Sequence, residues 1–303
     1  MRGEPRDLIE LGIVQPMAFP EAAAGEALLE SVRWLVEDGR FDLVEVPHVA
    51  REATRQQLRA LVRERGGTLL YAAQPVLLSQ GLSLNDPDDS RRHEAVSRTR
   101  EALEEAAELG AVALALLSGP NPAAEERSAQ LDLLVESLLR LSLPAEGGTG
   151  VPVLLENFDQ LDFGKNCLVG PTAEAAEVVR RVRREGGRCG LLVDLSHLPL
   201  LGESAAEALG AAADVLQHVH IGNCVTGDPE HPAYGDNHPV LGIPEGENGV
   251  EELAEFLRQL LRVGYLGEGR RRVSFEVKPF GEQRPEEVVA ESQRILKEAW
   301  EKV

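Results

Sequence analysis

Four short apolar runs in this chain each end in groups that can hold a metal ion or move a proton. The run 151–159, VPVLLENFD, carries Glu156 and Asn157 where it stops, and 189–197, CGLLVDLSH, carries Asp194 and His197. The run 215–223, VLQHVHIGN, carries His218 and His220, and 271–280, RRVSFEVKPF, carries Glu276 and Lys278. A carboxylate just past an apolar stretch is expensive to bury alone, so it stands at the mouth of its element or meets a partner. Glu156, Asp194 and Glu276, brought together with His220, would repel and raise one another's pKa unless a divalent cation neutralised them. One nitrogen among carboxylate oxygens suits Mn²⁺, Mg²⁺ or Co²⁺ better than a thiolate-seeking ion, with Zn²⁺ as an alternative. Taken singly, each residue reads as a cap or a surface ion pair.

Other groups are graded by position. His197, three residues beyond Asp194, reaches the same mouth as a ligand or substrate contact. Lys278 shares strand parity with Glu276 and is placed to polarise a substrate oxygen, and Lys165 in DFGKN is a second candidate of that kind. Asp236 and His238 form a D-x-H pair in YGDNHP that would ligate a second metal, touch substrate, or simply order its loop. His218 shares parity with His220 and reads as a core histidine with a hydrogen-bond partner. Glu45 and His48, after the second apolar run, are weaker candidates, and Asn157 and Asp159 have no assigned task.

The elements that must position these groups alternate along the chain. Apolar strands are expected at 8–14, 41–49, 67–75, 111–122, 151–159, 189–197, 215–223 and 273–280. Helical periodicity follows each, from ALLESVRWLVEDG and ATRQQLRALVRERG, both closed by glycine, to PEEVVAESQRILKEAWEKV at the end. Thr172 is the expected cap of the helix TAEAAEVVRRVRREGG. The loops 76–89 and 224–249 are longer than ordinary connections, which suits active-face excursions. Eight strand–helix units at intervals of about 25 to 45 residues predict an α/β fold, a (β/α)8 TIM barrel, as a single domain over 1–303. The alternative, an open doubly wound sheet holding a dinucleotide, would show a GxGxxG turn, and the chain has none.

Composition narrows the partners. The formal charge is −20, from 51 acidic and 31 basic residues, and the excess is spread through helical stretches. Duplex nucleic acid and anionic membrane surfaces both demand a basic footprint, so neither is the expected partner. Cys167, Cys189 and Cys224 are far apart and odd in number, which argues against a disulfide framework and for a reducing compartment. The N-terminal stretch lacks a continuous apolar core and no window approaches a membrane span, so a soluble, cytoplasmic protein is expected.

With these residues in this order, the chain resembles the xylose isomerase-like barrels, which include sugar isomerases and epimerases, inosose dehydratases and type IV apurinic endonucleases. The resemblance covers essentially the whole chain: LLENFD with Glu156, VDLSH with Asp194 and His197, HVHIGN with His220, and SFEVKP with Glu276. It implies one divalent cation, Mn²⁺ first, with Co²⁺, Mg²⁺ or Zn²⁺ as alternatives, held by Glu156, Asp194, His220 and Glu276. It further implies that Glu156 and Glu276 are catalytic, moving a proton on opposite faces of a small sugar or polyol ketone or aldehyde through an enediolate. His197, Lys278, Lys165, His238 and Asp236 then serve as substrate-binding groups. The ketose 3-epimerases carry an arginine six residues after the strand-seven histidine, where this chain has Thr226. Alternatives are a keto-cyclitol dehydratase, a non-catalytic sugar-binding barrel, and a metal-dependent apurinic endonuclease. The last expects a histidine after strand four, where Ser118 and Asn121 stand instead. The expected partner is a small carbohydrate or cyclitol, with association into a homo-oligomer left open.

Overall fold

The computed structural model describes residues 4–144, 148–161 and 164–303. Eight parallel strands close into a barrel in sequence order: β1 Ile9–Val14, β2 Leu43–Val46, β3 Thr68–Ala72, β4 Leu114–Leu117, β5 Val153–Glu156, β6 Cys189–Asp194, β7 Leu216–Ile221 and β8 Arg271–Phe275. Around them run α1 Gly25–Val36, α2 Glu52–Glu64, α3 Asp89–Leu109, α4 Arg127–Ser142, α5 Thr172–Arg184, α6 Ala205–Ala212, α7 Val250–Arg262 and α8 Pro285–Glu301. The expected TIM barrel is therefore the fold observed.

Two apolar layers hold it. The larger one packs the outward strand residues, such as Ile13, Val44, Leu155, Val193 and Phe275, against the helices. A small inner cluster of Leu43, Leu70, Ala113, Ala115, Leu154 and Leu192 fills the barrel. Side chains two residues apart on a strand share a face, so Glu45, Glu156 and Asp194 project inward one layer above Leu43, Leu154 and Leu192. The ladder pairs Asp194 with His220 and His220 with Ser274, which sets the polar groups of β6, β7 and β8 at one level.

The strands are shorter than the apolar runs that predict them. The segment after β6 turns at once into a short helix, His197–Leu201, so His197 heads a helical turn instead of ending a strand. The long connection after β3 contains a helical turn, Gln74–Leu78. Thr172 is not the cap of α5. Pro171 holds that place, and the Thr172 backbone N–H and hydroxyl both donate to the Glu203 carboxylate, at 3.0 and 2.6 Å. The glycine stop after α2 is present, with Gly66 at φ 72°. Among the described residues, no helix is long and apolar enough to cross a membrane.

Candidate metal and active site

Four strand ends deliver one cluster. Glu156 closes β5, Asp194 closes β6, His220 lies one residue before the end of β7, and Glu276 follows β8 directly. One ligand atom from each lies within 4.8 Å of the others. His220 Nδ1 is 2.7 Å from Glu276 Oε2, 3.7 Å from Glu156 Oε1 and 3.9 Å from Asp194 Oδ2. The first three residues of the set are buried, and the Glu276 side chain, 14% exposed, is the one that reaches solvent. Asp194 Oδ2 has no hydrogen-bond partner, and His220 Nδ1 meets only the carboxylates of this set. Buried polar atoms are rarely left so, and a nitrogen lone pair aimed among three carboxylates matches the donor set of a divalent cation. These residues therefore fit a metal ion.

The charges agree. Burial opposes ionisation of Glu276, but His238 and His220 outweigh it and hold the carboxyl down at about 2. Burial pushes the Asp194 carboxyl up, against the pull of His197 and His238.

Beneath and beside the cluster lie two groups of different legibility. Glu45, on β2, is fully buried and accepts from His218 Nε2 at 2.7 Å and from His220 Nε2 at 3.0 Å. His218 is thus an inward core histidine with a partner, as its parity predicts. Gln74, two residues past β3, donates from Nε2 to Glu156 Oε2 at 2.6 Å. No charge or spacing marks Gln74 in the sequence; the one available signal is its place just past a strand.

The loop after β7 brings a second hub. Asp236 Oδ1 lies 2.8 Å from His238 Nε2 and 3.1 Å from His197 Nε2, and its other oxygen pairs with the Lys165 ammonium. His197 also donates from Nδ1 to the Asn157 carbonyl at 2.8 Å, so both ring nitrogens face acceptors. Burial opposes its charge, but Asp236 and Asp194 prevail and raise its pKa to about 10. His238 has φ 52°, a left-handed conformation that a non-glycine residue adopts at a cost, and its carbonyl accepts the Lys278 N–H at 2.7 Å. His238 Nε2 also stands 3.5 Å from Glu276 Oε1, which joins the hub to the four-residue cluster.

Asn157 and Asp159 acquire tasks. Asp159 accepts the backbone N–H groups of Leu161, Lys165 and Asn166 at 3.0, 2.9 and 3.2 Å, shaping the loop that presents Lys165. Asn157 ties β5 to Gly170 and Thr172. Lys278 is not drawn into the cluster: its ammonium lies 5.5 Å from the Phe280 ring centroid and has no ion pair among the described residues. His48 pairs with Glu105 at 2.6 Å, away from the site. Ser118 accepts the Val169 N–H, and Asn121 accepts from Arg127, so both support loops.

A family model described as the xylose isomerase-like TIM barrel matches residues 32–299. No curated protein sequence gives a significant match. Among solved structures, the D-psicose 3-epimerase of Clostridium cellulolyticum H10 with D-tagatose is 16% identical, over 97% of each chain, with a TM-score of 0.66. A 3-keto-D-glucoside 4-epimerase from E. coli is 18% identical over 95% of this chain and 98% of that one, with a TM-score of 0.67. The IOLI protein with a bound zinc atom is 16% identical over 96% of this chain and 98% of that one, with a TM-score of 0.69. At such identities the likeness establishes the shared fold.

Proposed function

The chain belongs to the xylose isomerase-like TIM barrel family, and from that premise we propose that it is a divalent-metal-dependent isomerase or epimerase acting on a small sugar or polyol ketone or aldehyde. The observation that carries this reading is the convergence of His220 Nδ1 with Glu156, Asp194 and Glu276 at the C-terminal mouth of the barrel. Those four residues would hold the ion. Mn²⁺ is the first choice for such donors, with Co²⁺, Mg²⁺ and Zn²⁺ as alternatives, zinc being the metal named with the IOLI protein. Once bound, the ion supplies positive charge beside the substrate oxygens on which negative charge develops.

The remaining chemistry belongs to the chain. Glu276, kept ionised and the only one of the four open to solvent, takes the proton from the carbon beside the carbonyl. The C–H electron pair moves into a carbon–carbon double bond, and the carbonyl pair moves onto oxygen to give the enediolate. Glu156, on the opposite wall, relays a proton from solvent to the other face of the enediolate, and Glu276 gives up its proton to solvent to close the cycle. Lys165, His197, Asp236 and His238 form the polar wall that the substrate meets. Three free, buried cysteines suit a reducing, cytoplasmic setting.

Metal analysis of the purified protein is the first test: absence of a bound divalent ion, with no stabilisation by added Mn²⁺, overturns the reading. The second is incubation in D₂O with ketoses, aldoses and keto-inositols. Deuterium at the α-carbon with the mass otherwise unchanged is the expected result, whereas loss of water would move the assignment to a dehydratase.

A further inference from the structure

We propose that Glu45 is a positioning residue, which locks His220 with its Nδ1 lone pair turned toward Glu156, Asp194 and Glu276. The inference rests on the metal-dependent reading above and assigns the residue that prepares its nitrogen ligand. A neutral imidazole carries one proton, and the nitrogen that bears it cannot ligate. His220 Nε2 lies 3.0 and 3.2 Å from the two Glu45 oxygens, so this nitrogen bears the proton and donates it to the carboxylate. Nδ1 is then the ring atom that can offer its lone pair to a cation, and it is the one that faces the three carboxylates.

Glu45 is itself held. His218 Nε2 donates to its Oε1 at 2.7 Å, and Ser274 Oγ stands 3.3 Å from the same His218 nitrogen. Space for this layer comes from β1, where Gly12 faces Ser274: a Cβ there would come within 2.2 Å of Ser274 Oγ and 3.0 Å of Leu43 Cδ2. All of Glu45, His218, His220 and Ser274 are buried to within 1%. A buried carboxylate with two imidazoles as its partners has no surface role, and a carboxylate behind a ligating histidine fixes its ring and strengthens it as a donor.

The first measurement needs no variant. In Zn²⁺-loaded protein, long-range ¹H–¹⁵N spectra of the histidine rings report which nitrogen of His220 is protonated. Protonated Nε2 with metal-bound Nδ1 is expected; metal on Nε2 overturns the proposal. The second is titration calorimetry of Mn²⁺ binding to the wild type, Glu45→Gln and Glu45→Met. Affinity should fall about 10- to 100-fold in the variants, more for Met than for Gln, with one ion bound throughout. Wild type that binds Mn²⁺ while Glu45→Gln matches it within about twofold sinks this inference but leaves the metal reading intact. Wild type that binds no divalent ion sinks the metal reading itself. Two ions in the wild type and one in Glu45→Gln would make Glu45 a ligand, not a positioning residue.

Discussion

Glu156 is fixed by a neutral neighbour. Gln74 donates to its Oε2 from two residues past β3, leaving Oε1 to face His220. Removing that donor with Gln74→Leu should lower kcat by about 10- to 100-fold, because a hydrogen bond to a charged group contributes roughly 1.5–3 kcal/mol. KM should move far less, since Gln74 bonds Glu156 and not the bulk of a sugar. Replacing the two glutamates proposed to carry the proton should cost more. Glu156→Gln and Glu276→Gln, made separately, are each expected to reduce turnover by about 10²–10⁴. Steady-state kinetics on whichever substrate takes up deuterium measures all three, and a variant within about threefold of the parent would remove that glutamate from the mechanism.

The strand ends carry the site, and β7 shows how tightly. A Cβ on Gly222, just past β7, would lie 2.7 Å from the Glu276 carbonyl oxygen and 3.0 Å from His238 Nδ1. Gly222→Ala must therefore displace backbone after β8 and the hub histidine together. We expect a loss of about 1–3 kcal/mol in stability, the usual range for overpacking, with weaker Mn²⁺ binding and slower turnover alongside. Gly210, exposed on α6 with nothing within 4 Å of such a Cβ, is the control: Gly210→Ala should raise the melting temperature and leave activity alone. Legibility also divides at this scale. Strands buried on both faces read as continuous apolar runs, so β5 to β8 and their terminal carboxylates were visible as sequence. Where hydrogen-bond pairing stops is not written in hydropathy, and the runs accordingly overreach β5, β6 and β8. Glu45 stands only as a weaker candidate in the sequence for a related reason: in FDLVEVPHV the alternation suggests a solvent face, but in a closed barrel the second face is the interior. Gln74 was invisible because it is uncharged and lies inside the apolar run 67–75, where nothing sets it apart.

For the whole molecule, a bound cation would act on stability as well as chemistry. Mn²⁺ at a hundredfold excess over its Kd should add about 2.7 kcal/mol, a rise in Tm of roughly 4 °C for a chain of this size, which a chelator should reverse. The metal-free protein should show two pH arms. His197, whose pKa rises from 6.5 to about 10, gives stability that is complete below pH 6.5 and is lost as pH climbs through about 10. Glu276, lowered from 4.5 to about 2, gives stability that is complete above pH 4.5 and is lost as pH falls through about 2. Thermal melts of chelated protein should therefore peak between pH 4.5 and 6.5, and His197→Gln should flatten the alkaline arm. The ion pair of Lys165 with Asp236 links the segment after β5 to the segment after β7, with the ammonium 4.8 Å from the Phe158 ring centroid. The same carboxylate also meets His197 and His238, so three successive strand ends are bound together through one acidic side chain.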